Sequence, residues 1–154
     1  MTAGENVHAS AVLIKESGVL VRGAPGSGKS SLVLALVAGG ADAALVADDR
    51  VLLTACNGRL VAAVPDEIAG LMEVRGLGLA RRPHVSPVVI DLVVDLVLAA
   101  GAPRLPPHET DERATVAGLG LPRLTLPMGL ADAALRVRAA LGRRATENAD
   151  LSAA

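Results

Sequence analysis

The eight residues Gly23-Ala24-Pro25-Gly26-Ser27-Gly28-Lys29-Ser30 spell G-x-x-x-x-G-K-S, a pattern whose chemistry works only where a strand turns into a helix. Glycines let the backbone curl so that successive N–H groups point inward at phosphate oxygens. The lysine reaches the outer phosphates, the Ser30 hydroxyl can ligate Mg²⁺, and the following helix aims its N-terminal dipole at the same anion. The flanks fit this demand, with Val19-Leu20-Val21 reading as a short buried strand and Ser31 to Ala38 as a buried helix. A glycine-rich turn with no ligand is the plainer reading. Basic-residue usage argues against it, because 13 of the 15 basic residues are Arg and the only lysines are Lys15 and Lys29. A compact point charge at Lys29 suits a phosphate better than a planar fork. Gly23 to Ser30, with Ser31 behind them, are therefore the expected binding residues for a nucleoside triphosphate or another polyphosphate. A dinucleotide fold is disfavoured, since the glycines do not fall in G-x-G-x-x-G order.

A chain of 154 residues is long enough for one continuous core. That core contains no Phe, Tyr or Trp, so it must be built from Val, Leu, Ile and Ala, and no aromatic ring is available to stack on a base. The formal net charge is −1 with acids and bases interspersed. This gives no basic stripe for nucleic acid or an anionic membrane surface. Cys56 is the single cysteine, no uncharged apolar run reaches the length of a membrane span, and no apolar leader opens the sequence. A cytoplasmic protein without nucleic-acid or membrane partners is expected.

Ala11 to Ile14 and Val19 to Val21 read as a hairpin leading into the glycine-rich loop, and Ala44 to Ala47 as a buried strand ending in Asp48-Asp49. Val51 to Thr54 and Leu60 to Ala63 form a second expected hairpin around Asn57-Gly58. Val88 to Val97 alternates, placing Asp91, Val93 and Asp95 on one face and Ile90, Leu92 and Val94 on the other, with the two acids expected on a solvated face. Pro103 to Pro107 and Glu109 to Glu112 read as loop. Leu130, Ala134, Val137 and Leu141 follow helical spacing, with Arg136, Arg138, Arg143 and Arg144 outside the stripe. The expectation is one α/β domain over residues 1–144, with a frayed tail over 145–154.

Two further groups carry chemistry. An acid at the C-terminal end of a strand after such a loop can hold Mg²⁺ or accept a proton from an attacking hydroxyl, which makes Asp48 and Asp49 candidates. A polar strand end before a turn is the alternative. In Glu73-Val74-Arg75-Gly76-Leu77-Gly78-Leu79, Glu73 and Arg75 are expected to project to the same side of an extended segment, either flanking a ligand or pairing to cap a turn.

Taken in order, His8, Gly23 to Ser30, Val46-Ala47-Asp48-Asp49 and Glu73-Val74-Arg75-Gly76-Leu77-Gly78 resemble the catalytic domain of the HPr kinase/phosphorylase family, serine kinases of the bacterial phosphotransferase system. The resemblance runs from about Val7 to Leu126. It implies a P-loop kinase domain of the HPr kinase/PEP carboxykinase-like fold that uses ATP and Mg²⁺ on an HPr-like phosphocarrier protein. It also implies that Lys29 contacts the β- and γ-phosphates, that Ser30, Asp48 and Glu73 are the Mg²⁺ ligands, and that Asp49 is the general base. The order of the two acids stays open. His8 would lie by the phosphates, Arg75 belongs to the family signature, and the arginine of the family's flexible loop falls at Arg104, which fits better than Arg113. Full-length members are hexamers, so homo-oligomerisation is an expectation without a subunit number. Two departures matter. Nothing in the sequence precedes the catalytic domain, which reads as a short form, and the family's P-V-x-P-G-R-N stretch is replaced by Pro127-Met128-Gly129-Leu130-Ala131-Asp132. Its arginine is gone, so phosphorolysis is expected to be weak. Two other classes stay in view: a nucleotide-binding regulatory module with little or no transfer, and a small-metabolite kinase.

Overall fold

In the central sheet, β-branched and leucine-rich runs bounded by turn residues become strands buried on both faces. The computed structural model describes residues 4–98 and 112–153, with side chains described as far as 143. The main sheet runs in the order β1 (Glu5–Val7), β5 (Val51–Cys56), β6 (Arg59–Ala63), β9 (Val88–Val97), β3 (Ser17–Gly23), β2 (Ser10–Ile14), β4 (Ala43–Ala47), and the pair β10 (Arg113–Val116) and β11 (Leu119–Pro127) joins it at β9. Strands β7 (Leu71–Val74) and β8 (Gly78–Arg81) form a separate hairpin. Among the described residues two α-helices, α1 (Lys29–Ala38) and α2 (Ala133–Ala153), complete the α/β architecture.

Strand β9 is the hub. On one side it pairs with β3 in parallel; on the other, β6 pairs antiparallel with Val88 and Val89 while β11 pairs parallel with Val93 to Val97. The β3 register shifts between Gly18 and Val19, so that Gly18 faces Ile90 and Val19 faces Leu92. One residue is left over, a β-bulge that reverses which face each later side chain takes. Gly18 is needed there, because a Cβ would lie 2.1 Å from the Val89 carbonyl oxygen. The simple alternation expected from the sequence therefore breaks at this point. Ile90 packs with Val93 in one core, whereas Leu92, Val94 and Leu96 pack in the other.

Those two cores lie on opposite faces of the central strands. On one face Val12, Val19, Val21, Leu45 and Val94 meet Leu32, Val33, Leu36 and Val37 of α1 and Ala133 and Val137 of α2. The i, i+3, i+4 spacing of the α1 residues explains its fit, as one stripe of that helix faces the sheet. On the other face Ala11, Leu20, Val46 and Val93 pack against Val51, Leu53, Leu60 and Ala62 of the folded-back strands β5 and β6.

Both expected hairpins form. Ile14 pairs with Ser17 across a two-residue turn, and Cys56 with Arg59 across Asn57-Gly58, whose φ values of 51 and 77° are those a tight hairpin turn demands. Asp95 departs from expectation. It is buried rather than solvated, held between the guanidiniums of Arg22 (2.7 Å) and Arg123 (2.6 Å) from the two neighbouring strands. Hydrogen bonding to Asp95 raises the Arg22 pKa further above its ordinary value, against the opposing effect of burial. Helix α2 begins at Ala133, so Leu130 precedes it, and its backbone remains helical through Ala153 where a tail was expected. Arg104 and most of the Pro103 to Glu112 segment lie outside the described residues.

Candidate active site at the strand ends

Because β3, β9 and β11 are mutually parallel and β2 runs antiparallel to both β3 and β4, the C-terminal ends of β3, β4, β9 and β11 come to one edge together with the start of β2. The loop after β3, the acids after β4, and Ser10 at the head of β2 meet there. Open α/β sheets present ligands at this edge.

The loop is built as its sequence requires. A turn bond from the Ser27 N–H to the Ala24 carbonyl (3.0 Å) folds it, and Gly26 and Gly28 take φ of 80 and 97°, conformations that favour glycine. Gly23 is fixed by space instead, since a Cβ would approach Ser27 Oγ to 2.4 Å. Helix α1 starts at Lys29, two residues before the expected Ser31, and the largely buried Lys29 ammonium donates to the Gly23 carbonyl at 3.0 Å. Ser27 Oγ is buried with no hydrogen-bond partner among the described residues.

The two acids after β4 have separate environments. Asp48 is buried; its carboxylate accepts from Ser10 Oγ (3.0 Å), Ser30 Oγ (3.4 Å) and the Glu73 backbone N–H (3.3 Å). Asp49 is exposed, and its Oδ1 lies 2.5 Å from His8 Nε2. Its backbone has φ of 71°, and the Arg50 N–H reaches back to the Asp48 carbonyl at 2.9 Å, a three-residue turn. Aspartate tolerates this left-handed conformation better than most residues, and such strain concentrates at working sites. Ser10 ties the pair together, donating to Asp48 and accepting from the Asp49 N–H at 3.0 Å. Sequence reasoning missed Ser10. Its only signal is its place at the head of the strand beside β3.

Glu73 approaches the site through its backbone, with its side chain exposed on β7. Arg75 is not in an extended segment beside it. It occupies the turn of the β7–β8 hairpin, where Val74 pairs with Gly78 and Gly76 has φ of 86°. Among the described residues, no group of three or more His, Cys, Asp and Glu could form a metal cage. The Ser30 hydroxyl beside the Asp48 carboxylate instead suits a cation that keeps water and phosphate oxygens in its shell, as Mg²⁺ does. The glycine conformations and the unpartnered Ser27 hydroxyl fit a polyphosphate.

A family model, the HPr Serine kinase C-terminal domain, matches residues 1–130. The chain belongs to this family. Among its relatives, the HPr kinase/phosphorylase of Geobacillus thermodenitrificans is 36% identical over 136 residues, covering 79% of this chain and 42% of that protein. That of Lactobacillus acidophilus is 41% identical over 100 residues, covering 60% and 30%. The chain thus aligns with well under half the length of these curated relatives. The structure of the Hpr(Ser) kinase/phosphatase from Coxiella burnetii shares the fold of this HPr kinase C-terminal domain, with a TM-score of 0.80 at 24% identity over 93% of this chain and 97% of that one. Among the described residues of this family member no helix is long and apolar enough to cross a membrane.

Proposed function

We propose that this domain transfers the γ-phosphoryl group of ATP to a serine of an HPr-like phosphocarrier protein in the cytoplasm. The observation that carries the reading is the meeting of Lys29 and Ser30 with Asp48, Asp49 and His8 at one sheet edge. Phosphoryl transfer needs positioning and charge neutralisation more than covalent chemistry from the protein.

Each residue has a task in this reading. The backbone N–H groups from Gly26 to Ser30 cradle the phosphates, and Lys29 exchanges its bond to the Gly23 carbonyl for the β- and γ-oxygens. Ser30 and Asp48 would hold Mg²⁺, with Glu73 adjacent; when bound, the ion neutralises charge building on the phosphate oxygens. Asp48 is occupied by three donors and faces Ser30, so it belongs to the metal side. Asp49 is exposed and within reach of an incoming protein hydroxyl, so it takes the serine proton or orients its oxygen, with His8 holding the carboxylate in place. Arg75 on its exposed hairpin is left for the incoming carrier or for the transferring group, and Arg104 for the phosphates.

Forward transfer should exceed phosphorolysis. The reverse reaction must hold a second anion beside the first, which calls for extra cations. Gly129-Leu130 supplies none, and Arg136, the next cation, is engaged by Asp132 at 3.1 Å. The test is incubation with labelled ATP, Mg²⁺ and an HPr-like carrier. Acid-stable phosphoserine on the carrier is expected. Label found only as free phosphate would favour the second reading, a nucleotide-binding regulatory module.

A further inference from the structure

A hydroxyl shut away from solvent must direct its one proton and its lone pairs at protein groups, and Ser10, 0% exposed at the head of β2, directs them at both acids. Its proton goes to Asp48 Oδ1 at 3.0 Å, and its oxygen accepts the Asp49 N–H at 3.0 Å. Strand β2 lies between β3, which runs into the glycine-rich loop, and β4, which runs into the acids. Ser10 still pairs with Val21 on the β3 side, whereas the β2–β4 pairing stops at Ala11 opposite Ala47. Beyond that point the Ser10 side chain takes over from the ladder. It anchors the acids to the strand that carries the loop. At Asp48 each carboxylate oxygen has its own donor, Ser10 Oγ on Oδ1 and the Glu73 N–H on Oδ2, which together fix the plane of the group. The third bond, from Ser30 Oγ, is the longest at 3.4 Å and is the one that can give way to a cation. At Asp49 the backbone sits at φ of 71°, a conformation that persists only where its surroundings over-determine it. The Ser10 bond is one such constraint, and the Arg50 turn is another.

We propose that Ser10 is a positioning residue for phosphoryl transfer, one hydroxyl that sets the plane of the metal-side acid and the backbone of the base together, at a fixed offset from the phosphate loop. The proposal rests on the kinase reading of the site. Ser10 touches neither the nucleotide nor the carrier serine in that reading; it acts through Asp48 and Asp49. Such a role carries weight because displacing a reacting group by roughly 1 Å is enough to lower a rate by about 10². A hydroxyl that only satisfied a buried carboxylate would act on stability alone, with no link to the charge on Asp49.

The experiment compares the parent with Ser10→Ala, Asp49→Asn and the double variant in single-turnover transfer from labelled Mg²⁺–ATP to an HPr-like carrier. Affinity for Mg²⁺–ATP is read by calorimetry, and amide exchange at Asp49 by NMR in the protein without nucleotide. Ser10→Ala should form phosphoserine about tenfold more slowly at saturating ATP and carrier, with ATP affinity within about threefold of the parent. Its Asp49 amide should exchange at least about tenfold faster while the core strands stay protected. In the Asp49→Asn background the same change should slow transfer by no more than about threefold, because the group through which Ser10 acts is already disabled. Parent-like transfer or parent-like Asp49 exchange in Ser10→Ala, or the full loss repeated in the Asp49→Asn background, would overturn the assignment and leave the kinase reading standing. A collapse of ATP affinity or of core protection would show that Ser10 holds up the frame instead, and would overturn it too. A parent that forms no phosphoserine would overturn the kinase reading and this assignment with it.

Discussion

Two glycine-rich segments of this domain use the same backbone device for opposite ends. Gly26 and Gly28 in the loop after β3, and Gly76 and Gly78 in the β7–β8 hairpin, all have positive φ, and at none of the four would a Cβ meet anything within 4 Å. All four are glycine for conformation, not for space. What differs is the setting. The loop is clamped between a buried strand and a helix whose apolar stripe is in the core, and its lysine is folded in. The hairpin projects, with Leu77 and Leu79 82% and 73% exposed and Met72 as its buried foot. Rigid scaffolding under the loop suits a fixed anion cradle. A hairpin tied to the site through one backbone bond, Glu73 N–H to Asp48, is free to meet something larger.

That contrast can be broken at several points. The largest effect is expected from Lys29→Ala, which removes the one ammonium inside the loop and should lower phosphoryl transfer by about 10³ or more, a loss on the order of 4 kcal/mol. Unchanged affinity for Mg²⁺–ATP in a calorimetric titration would count against the cradle. Next comes Asp95→Asn, under the rigid half of the molecule. It leaves Arg22 and Arg123 facing each other without their shared carboxylate. Both arginines are about one-third exposed, so solvent screens part of the penalty, and a loss of about 2 kcal/mol is expected from the denaturation midpoint. An unshifted midpoint would mean that the cluster does not brace the strands. The smallest effect belongs to the hairpin. Leu77→Ser with Leu79→Ser should move the midpoint by no more than about 0.5 kcal/mol and leave ATP binding intact. A large loss of stability would show that the hairpin is part of the frame after all.

The same contrast separates what the sequence makes legible from what it hides. The strand, loop and helix around Gly23 to Ser30 are readable because local pattern and tertiary demand agree: buried runs, glycines at the turning points and a terminal lysine. The Asn57-Gly58 hairpin and the strand Val88 to Val97 are readable for the same reason. The faces of that strand were not, because the bulge opposite Gly18 depends on how closely a neighbouring backbone approaches, which no periodicity records. Asp95 looked solvated since its two arginines come from β3 and β11, far apart along the chain. Asp48 and Asp49 were recognisable as a pair but not distinguishable. Only the fold supplies Ser10 and the Glu73 N–H to the first and His8 to the second. Arg75 reads as extended in the sequence because strand and turn alike follow a short apolar run, whereas the turn is set by pairing of Val74 with Gly78.

The division of work between the two acids is the centre of the account, and one substitution tests it. Asp49→Asn keeps the size of the side chain and its tolerance of positive φ while removing the charge. In a single-turnover reaction with labelled ATP, Mg²⁺ and an HPr-like carrier, the variant should bind ATP as the parent does and form acid-stable phosphoserine about 10² more slowly. Equal rates of phosphoserine formation in parent and variant would contradict the account and move the role of the base away from Asp49.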